Sequence, residues 1–168
     1  MNPLLELWSG PYGGVPPWDR MRPEYFPGAF EAAMSEERAE IDAIASDTEP
    51  PTFDNTLAAM ERAGSTLDRV GRMFSVAREN VTTPEYQRLE HEWQPKLSAH
   101  ADAIVFNAGL FARIEAVYRS LPSNLEPDQA RLVTRGYEDF VRRGARLDAA
   151  GKARLSEVNQ QLAACFAE

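Results

Sequence analysis

Hydrophobic residues recur at intervals of three or four along most of the chain, which is the spacing of an α-helix with one buried face. The first helix is predicted from about Pro27 to Ser46 and the second from about Phe53 to Asn80. At the rise of an α-helix, the second would be about 40 Å long. Four more helices are predicted downstream, beginning at Pro84, after Asn107, at Pro127 and after Asp148.

Capping residues and prolines support these boundaries. Thr83 and Pro84 combine a hydroxyl N-cap with a proline at the first helical position. Pro95 falls inside the third predicted helix, where it removes a backbone hydrogen bond, so a kink or a break is expected there. No sustained alternation of polar and apolar residues indicates a β-strand.

The beginning of the chain has a different composition, because prolines and glycines crowd residues 9–23. Such a stretch predicts an irregular arm. Aromatic side chains interrupt the arm and are expected to pack it against the helices: Trp8, Tyr12, Trp18 and Tyr25. We therefore predict an all-α fold, an elongated antiparallel bundle of about six helices over residues 27–168 that follows an irregular arm over residues 1–26.

Composition narrows the class of protein. The chain has 168 residues, of which 43% are hydrophobic and 26% charged, as in a globular domain. The net charge of −8 argues against nucleic acid as a partner. No apolar run is long enough to span a membrane, and the start lacks the basic region of a secretory signal. One cysteine, Cys165, excludes an internal disulfide. A cytoplasmic protein is expected.

The two histidines do not predict a metal site. His91 and Glu92 begin like the zinc-peptidase motif HExxH, but the position of its second histidine holds Pro95. The other histidine, His100, lies nine residues after the first, which does not place both on one side of a straight helix. We expect no metal ligand or bound cofactor in this chain.

Other candidate catalytic groups have simpler interpretations. Cys165 lies beside Phe166 on an apolar helix, where a cysteine is usually a small buried hydrophobe. Carboxylate pairs on the helices are interpreted as solvated faces: Glu36 with Glu40, and Glu61 with Asp68. No catalytic residue is predicted.

One charged stretch differs from the rest of this acidic chain. Residues 131–154 hold seven basic side chains against three acidic ones. They are interpreted either as a solvated face with helical ion pairs or as a docking surface for acidic groups of a partner domain or of a peptide carboxylate. The candidate docking residues are Arg131, Arg135, Arg142, Arg143 and Arg146.

Six short segments along the chain form a recognisable series: NPLL (2–5), PPWD (16–19), AEIDAIA (39–45), PTFDNTL (51–57), LFARI (110–114) and GARLD (144–148). Taken in order, they resemble the N-terminal region of bacterial peptidyl-dipeptidases of the thimet oligopeptidase family. The resemblance covers essentially all of the chain, and its specificity comes from the number and order of the segments. None of them is a catalytic signature.

The resemblance implies a zinc metallopeptidase that removes dipeptides from the C-termini of short peptides. In such an enzyme the substrate enters a channel between largely helical halves, and zinc is held by HExxH and a distant glutamate. None of these residues maps onto this sequence. The chain is therefore expected to form one wall of the channel, with the zinc-binding catalytic domain as its partner, and to be inactive alone.

The last predicted helix runs to Glu168 without a glycine, asparagine or proline stop, so the chain is expected to continue into the rest of such a peptidase. The apolar stripe of this helix should then be partly uncovered, with Phe166 more exposed than Leu155. The alternative is a freestanding helical interaction module without peptidase activity. An HExxH beyond Glu168 in the coding sequence would distinguish the two.

Overall fold

The computed structural model describes residues 2–12, 14–81, 83–121 and 123–166, and 77% of them are helical. The only β-type pairing in these ranges is an isolated antiparallel bridge between Ser9 and Val15. The prediction of an all-α bundle is therefore confirmed. The α-helices are α1 (Phe26–Ser46), α2 (Ala58–Arg62), α3 (Ser65–Asn80), α4 (Pro84–Val105), α5 (Ala108–Ser120), α6 (Pro127–Arg142) and α7 (Ala149–Phe166).

Local capping interactions fix several helix starts where the sequence places them. The Asn107 side chain accepts a hydrogen bond from the Leu110 amide at 3.0 Å, which caps α5. The Asp148 carboxylate accepts one from the Gly151 amide at 2.8 Å, which caps α7. Because each cap lies within three residues of its partner, these boundaries can be predicted from sequence alone.

The prediction of one helix over residues 53–80 is wrong. A π-helical turn, Phe53–Leu57, leads into α2, and the chain then breaks at Ala63 and Gly64 before α3 begins. Gly64 has φ of +73°, a conformation that interrupts an α-helix and that glycine adopts most readily. The apolar spacing continues across the break, so periodicity does not reveal it.

Carboxylates of α1 stabilise this break. Glu40 Oε2 accepts a hydrogen bond from the Gly64 amide at 2.8 Å, and Glu36 Oε1 accepts one from the Thr66 hydroxyl at 3.2 Å. Negative charge is favourable at the start of a helix such as α3. Glu36 is exposed, as expected for a solvated face, and Glu40 is partly buried. Both carboxylates have a role that the sequence did not predict, since they bind residues 24 and 30 positions away.

Helix α4 runs through Pro95 without interruption, so the break considered for this position does not occur. The helix carries Tyr86 and Trp93 on its buried side. These rings join Phe26, Phe30 and other aromatic side chains in one of two hydrophobic clusters, and Phe30 stacks on Trp93 at 5.3 Å between centroids. The packing of this face against α1 and α3 keeps α4 in place across the proline.

The second cluster lies between the end of α1, the π-helical turn, α5 and α6. Its fully buried members include Leu57, Ile114, Val117 and Val133. These residues lie on the apolar faces that the three-to-four spacing indicates, so both clusters follow from the helical pattern.

The arm packs on the first cluster mainly through aliphatic side chains. Leu4 is fully buried, and Trp8 is partly buried against the cluster. In contrast, Tyr12, Trp18 and Tyr25 are exposed, so the expectation that all four aromatic residues hold the arm is correct only for Trp8.

Helix α7 packs on α4 but has no buried residue. Its apolar side chains Val158, Leu162 and Phe166 are 41%, 51% and 81% exposed, and Leu155 is only half-buried. The predicted order of exposure for Phe166 and Leu155 is confirmed. Cys165 is exposed, so the prediction that it is buried is wrong. We call Val158, Leu162 and Phe166 the α7 stripe.

Candidate functional site

The basic side chains predicted as a docking surface divide into two groups. Arg131, Arg135 and Arg142 lie four and seven residues apart, which places them on one face of α6, and all three are exposed. Among the described residues, neither Arg131 nor Arg135 takes part in an ion pair. Two unpaired guanidiniums on one helix face can receive acidic groups from another molecule.

Arg142 and Arg143 end α6 beside one shared carboxylate. Asp139 lies 3.9 Å from Arg142 and 3.7 Å from Arg143, both longer than a hydrogen bond. Neither guanidinium donates a hydrogen bond within the part of the chain that the structure describes. Their donors are therefore available to a ligand.

Arg146 is committed to a local cluster. It binds Glu115 at 2.8 Å and also contacts the Tyr137 hydroxyl. Arg119 lies 3.2 Å from the same carboxylate. The hydrogen bond from Arg146, with the charge of Arg119, lowers the pKa of Glu115 below its usual range. Arg146 therefore contributes less free positive charge than its neighbours.

The two histidines lie in different environments. His91 is exposed. His100 is buried, with Nε2 2.7 Å from Glu37 Oε2 and Nδ1 3.4 Å from an Arg38 nitrogen. Since an ionised carboxylate can only accept, Nε2 donates to Glu37. Both ring nitrogens of His100 are thus used to join α4 to α1.

Three neighbouring depressions mark the surface between the helices. The first, about 540 Å³, lies between α1, α2 and α3, and the second, about 340 Å³, between α2, α4 and α6. They share Glu37 and Glu61. The third, about 350 Å³, shares Ala101 and Arg143 with the second. Acidic side chains dominate the charge of the first depression and guanidiniums line the third.

The third depression contains a residue that the sequence did not single out. Asp102 on α4 is 6% exposed, and its Oδ1 accepts a hydrogen bond from Asn159 on α7 at 2.9 Å. Its Oδ2 is buried, and no described residue hydrogen-bonds to it. Alanines alternate with other residues around Asp102 in the sequence. This pattern could have indicated that a second helix packs closely on α4, because small side chains permit a close approach.

Metal-binding clusters and membrane-spanning helices are both absent from the described ranges. No group of three or more histidine, cysteine, aspartate or glutamate side chains is arranged to hold a metal ion there. No helix in the same ranges is both long and apolar enough to cross a membrane.

Comparison with known proteins connects this structure to peptidases. The chain is 37% identical to the dipeptidyl carboxypeptidase of Escherichia coli (strain K12) over 164 residues, which is 97% of this chain and 24% of that protein. The dipeptidyl carboxypeptidase of Salmonella typhimurium is 35% identical over 168 residues, 99% of this chain and 25% of the relative. Oligopeptidase A of Salmonella typhimurium is 24% identical over 166 residues, 96% of this chain and 23% of the relative.

No protein-family model matches the sequence. The chain spans about a quarter of the length of the curated relatives it matches. The resemblance to peptidyl-dipeptidases is confirmed, because the alignments with the two dipeptidyl carboxypeptidases cover 97% and 99% of this chain. Over nearly its whole length, the chain is therefore a homologue of a segment of the bacterial dipeptidyl carboxypeptidases.

Proposed function

We propose that this chain is the non-catalytic N-terminal helical part of a zinc peptidyl-dipeptidase, an enzyme that removes dipeptides from the C-termini of short peptides. The observation that carries the proposal is the match of 97% of the chain to about a quarter of a protein named dipeptidyl carboxypeptidase. A segment of that size supplies one part of an enzyme whose chemistry lies elsewhere. The enzyme acts in the cytoplasm, where an exposed thiol such as Cys165 stays reduced.

The chain forms one wall of the substrate channel in this proposal. The three adjacent depressions offer a path between helices, with acidic side chains at one end and Arg142 and Arg143 at the other. The middle depression is lined partly by apolar side chains, including Met60, Ile104 and Phe140. A wall of this kind accepts a short extended peptide and excludes a folded protein.

The zinc is held by the remainder of the enzyme, where it lowers the pKa of a bound water for attack on the peptide carbonyl. The residues of this chain support that part without joining the reaction. Both ring nitrogens of His100 contact side chains of α1, so this histidine helps to hold α1 and α4 together. We expect the isolated chain neither to bind zinc tightly nor to cleave peptides.

Two surfaces are suited to contact the catalytic domain. The α7 stripe exposes three apolar side chains beside the α4 interface, and contact with another domain would bury them. The exposed guanidiniums of Arg131 and Arg135 can pair with carboxylates of the same partner. No nucleic acid or membrane is needed as a partner.

The second candidate is a freestanding helical interaction module. The α7 stripe favours it to the same extent, since an exposed apolar surface fits a partner protein or a second copy of the chain. The two candidates differ in whether the helices can serve within a working peptidase.

A chimaera tests this difference. The matching quarter of the Escherichia coli dipeptidyl carboxypeptidase is replaced by this chain, and dipeptide release from a short peptide is measured together with zinc content. We expect stoichiometric zinc and dipeptide release, whereas the isolated chain shows neither. In a matched chimaera with Leu162→Asp, the α7 stripe is disrupted, and release should fall.

A chimaera that folds and holds zinc but releases no dipeptide would refute the proposed role in the channel. Dipeptide release by the isolated chain would refute the claim that it is non-catalytic. The intact Escherichia coli dipeptidyl carboxypeptidase serves as the positive control for zinc content and dipeptide release.

A further inference from the structure

The third depression combines opposite charges that do not satisfy each other. Asp102 lies on its α4 side, and Arg142 and Arg143 lie at the end of α6. In the described part of the chain, neither guanidinium pairs with the Asp102 carboxylate. The cavity of about 350 Å³ is therefore lined by one anionic and two cationic side chains that do not pair with each other.

Asp102 is the strongest indication of a ligand. A buried carboxylate oxygen without a hydrogen bond is destabilising, because desolvation is not compensated. Asn159 satisfies Oδ1 at 2.9 Å, while Oδ2 receives nothing from any described residue. A positively charged donor, such as a primary ammonium, would donate a hydrogen bond to Oδ2 and balance the charge of this carboxylate.

The guanidiniums require the opposite chemistry. Among the described residues, Arg142 and Arg143 form ion pairs only with Asp139, at distances beyond hydrogen bonding, so both can donate to a carboxylate. A ligand with an ammonium at one end and a carboxylate at the other satisfies both sides of the cavity. The volume lies within the range of about 300–1,000 Å³ that is usual for small-molecule sites.

We propose that this cavity binds a zwitterionic dipeptide, with its ammonium on Asp102 Oδ2 and its carboxylate on Arg142 and Arg143. The proposal rests on the proposed function only for the choice of a dipeptide over a single amino acid. Because Oδ2 is closed to solvent in the ligand-free chain, the side chain of Asp102 or Asn159 turns when the ligand enters.

The test is a titration of the isotope-labelled 168-residue chain with alanylalanine, followed by nuclear magnetic resonance. The amides of residues 98–102 and 155–159 should shift. N-acetyl-alanylalanine lacks the ammonium and alanylalanine amide lacks the carboxylate, so each should bind about tenfold more weakly or worse. These comparisons need no substitution and therefore do not depend on the folding of a variant.

Two variants and a control assign the charges. Asp102→Asn and Arg143→Gln should each weaken alanylalanine binding about tenfold. Arg135→Gln, on α6 but outside the cavity, should change binding less than about twofold. Absence of shifts at these amides at millimolar dipeptide, or equal binding of all three peptides, would overturn the proposal. The titration reports on the cavity alone, so its failure leaves the chimaera experiment intact.

Discussion

Replacing Gly64 by alanine should destabilise the protein, although helix propensity alone gives the opposite expectation. Gly64 has φ of +73°, and a Cβ built there lies 2.6 Å from Glu37 Cδ. Glu37 is not free to move, because its Oε2 lies 2.7 Å from the Nε2 of buried His100. The added methyl group therefore strains the backbone and displaces a buried contact between α1 and α4.

The size of the effect follows from the backbone strain at residue 64 and from the loss of the contact between Glu37 and His100. A left-handed conformation costs a non-glycine residue about 1–2 kcal/mol. A hydrogen bond to a charged group contributes about 1.5–3 kcal/mol. Gly64→Ala should lower the free energy of unfolding by about 2.5–5 kcal/mol if the contact between Glu37 and His100 is lost.

Gly71→Ala is the matched control within the same helix. Apart from its two neighbours and the backbone of α3 itself, no described residue has an atom within 4 Å of a Cβ built at Gly71, which is in the interior of α3. Alanine is favoured over glycine inside a helix by about 0.5–1 kcal/mol, so this substitution should stabilise the protein. If residues 53–80 formed one straight helix, both substitutions would stabilise it.

Urea unfolding followed by far-ultraviolet circular dichroism measures both variants. In a Glu37→Ala background, the cost of Gly64→Ala should fall to the backbone part, about 1–2 kcal/mol. A Gly64→Ala protein as stable as the parent would refute the reasoning, because neither the left-handed conformation nor the displacement of Glu37 would then carry a cost.

Three further predictions concern other contacts. Arg113 is buried and donates to the carbonyls of Asp47 and Glu49 at 2.7 and 3.0 Å. Arg113→Leu should therefore lower the free energy of unfolding in urea by about 3–5 kcal/mol. The same change at exposed Arg135 should lower it by less than about 0.5 kcal/mol. Phe166→Asp should leave the unfolding midpoint unchanged and weaken any self-association seen by sedimentation velocity; tighter association would contradict the role of the α7 stripe. The lowered pKa of Glu115 stabilises the fold above its unfolded-state pKa of about 4.3, and this contribution is lost as the pH falls through the lower folded-state value. The difference in unfolding midpoint between the parent and Glu115→Gln should therefore shrink on acidification. A difference that grows would refute the stabilising role of the ionised Glu115 carboxylate.

The functional regions differ in how far the sequence anticipates them. The residues proposed for docking on α6 are recognisable from the sequence, because the spacing of Arg131, Arg135 and Arg142 places them on one helix face. Nothing near Asp102 in the sequence shows that Oδ2 receives no hydrogen bond from the described residues, because its environment is created by α6 and α7. The sequence also rules out HExxH at His91, but only the structure shows that His100 is held by Glu37 and Arg38.

The sequence by itself determines the helices and most of their limits. The three-to-four spacing of apolar residues and the side chains at Asn107 and Asp148 act within a few residues, so helix type and start are local properties. The buried faces of α1, α5 and α6 follow from the same spacing. This is why the all-α fold is predictable without any knowledge of how the helices meet.

Only the tertiary structure decides the features that depend on residues distant in the chain. The break at Gly64 is stabilised by Glu40 from α1, and the burial of Asp102 requires α7 to pack on α4. The exposure of Phe166 has the same origin, because an apolar helix face is buried only where another element covers it. Periodicity predicts that such a face exists, and the three-dimensional arrangement determines what lies against it.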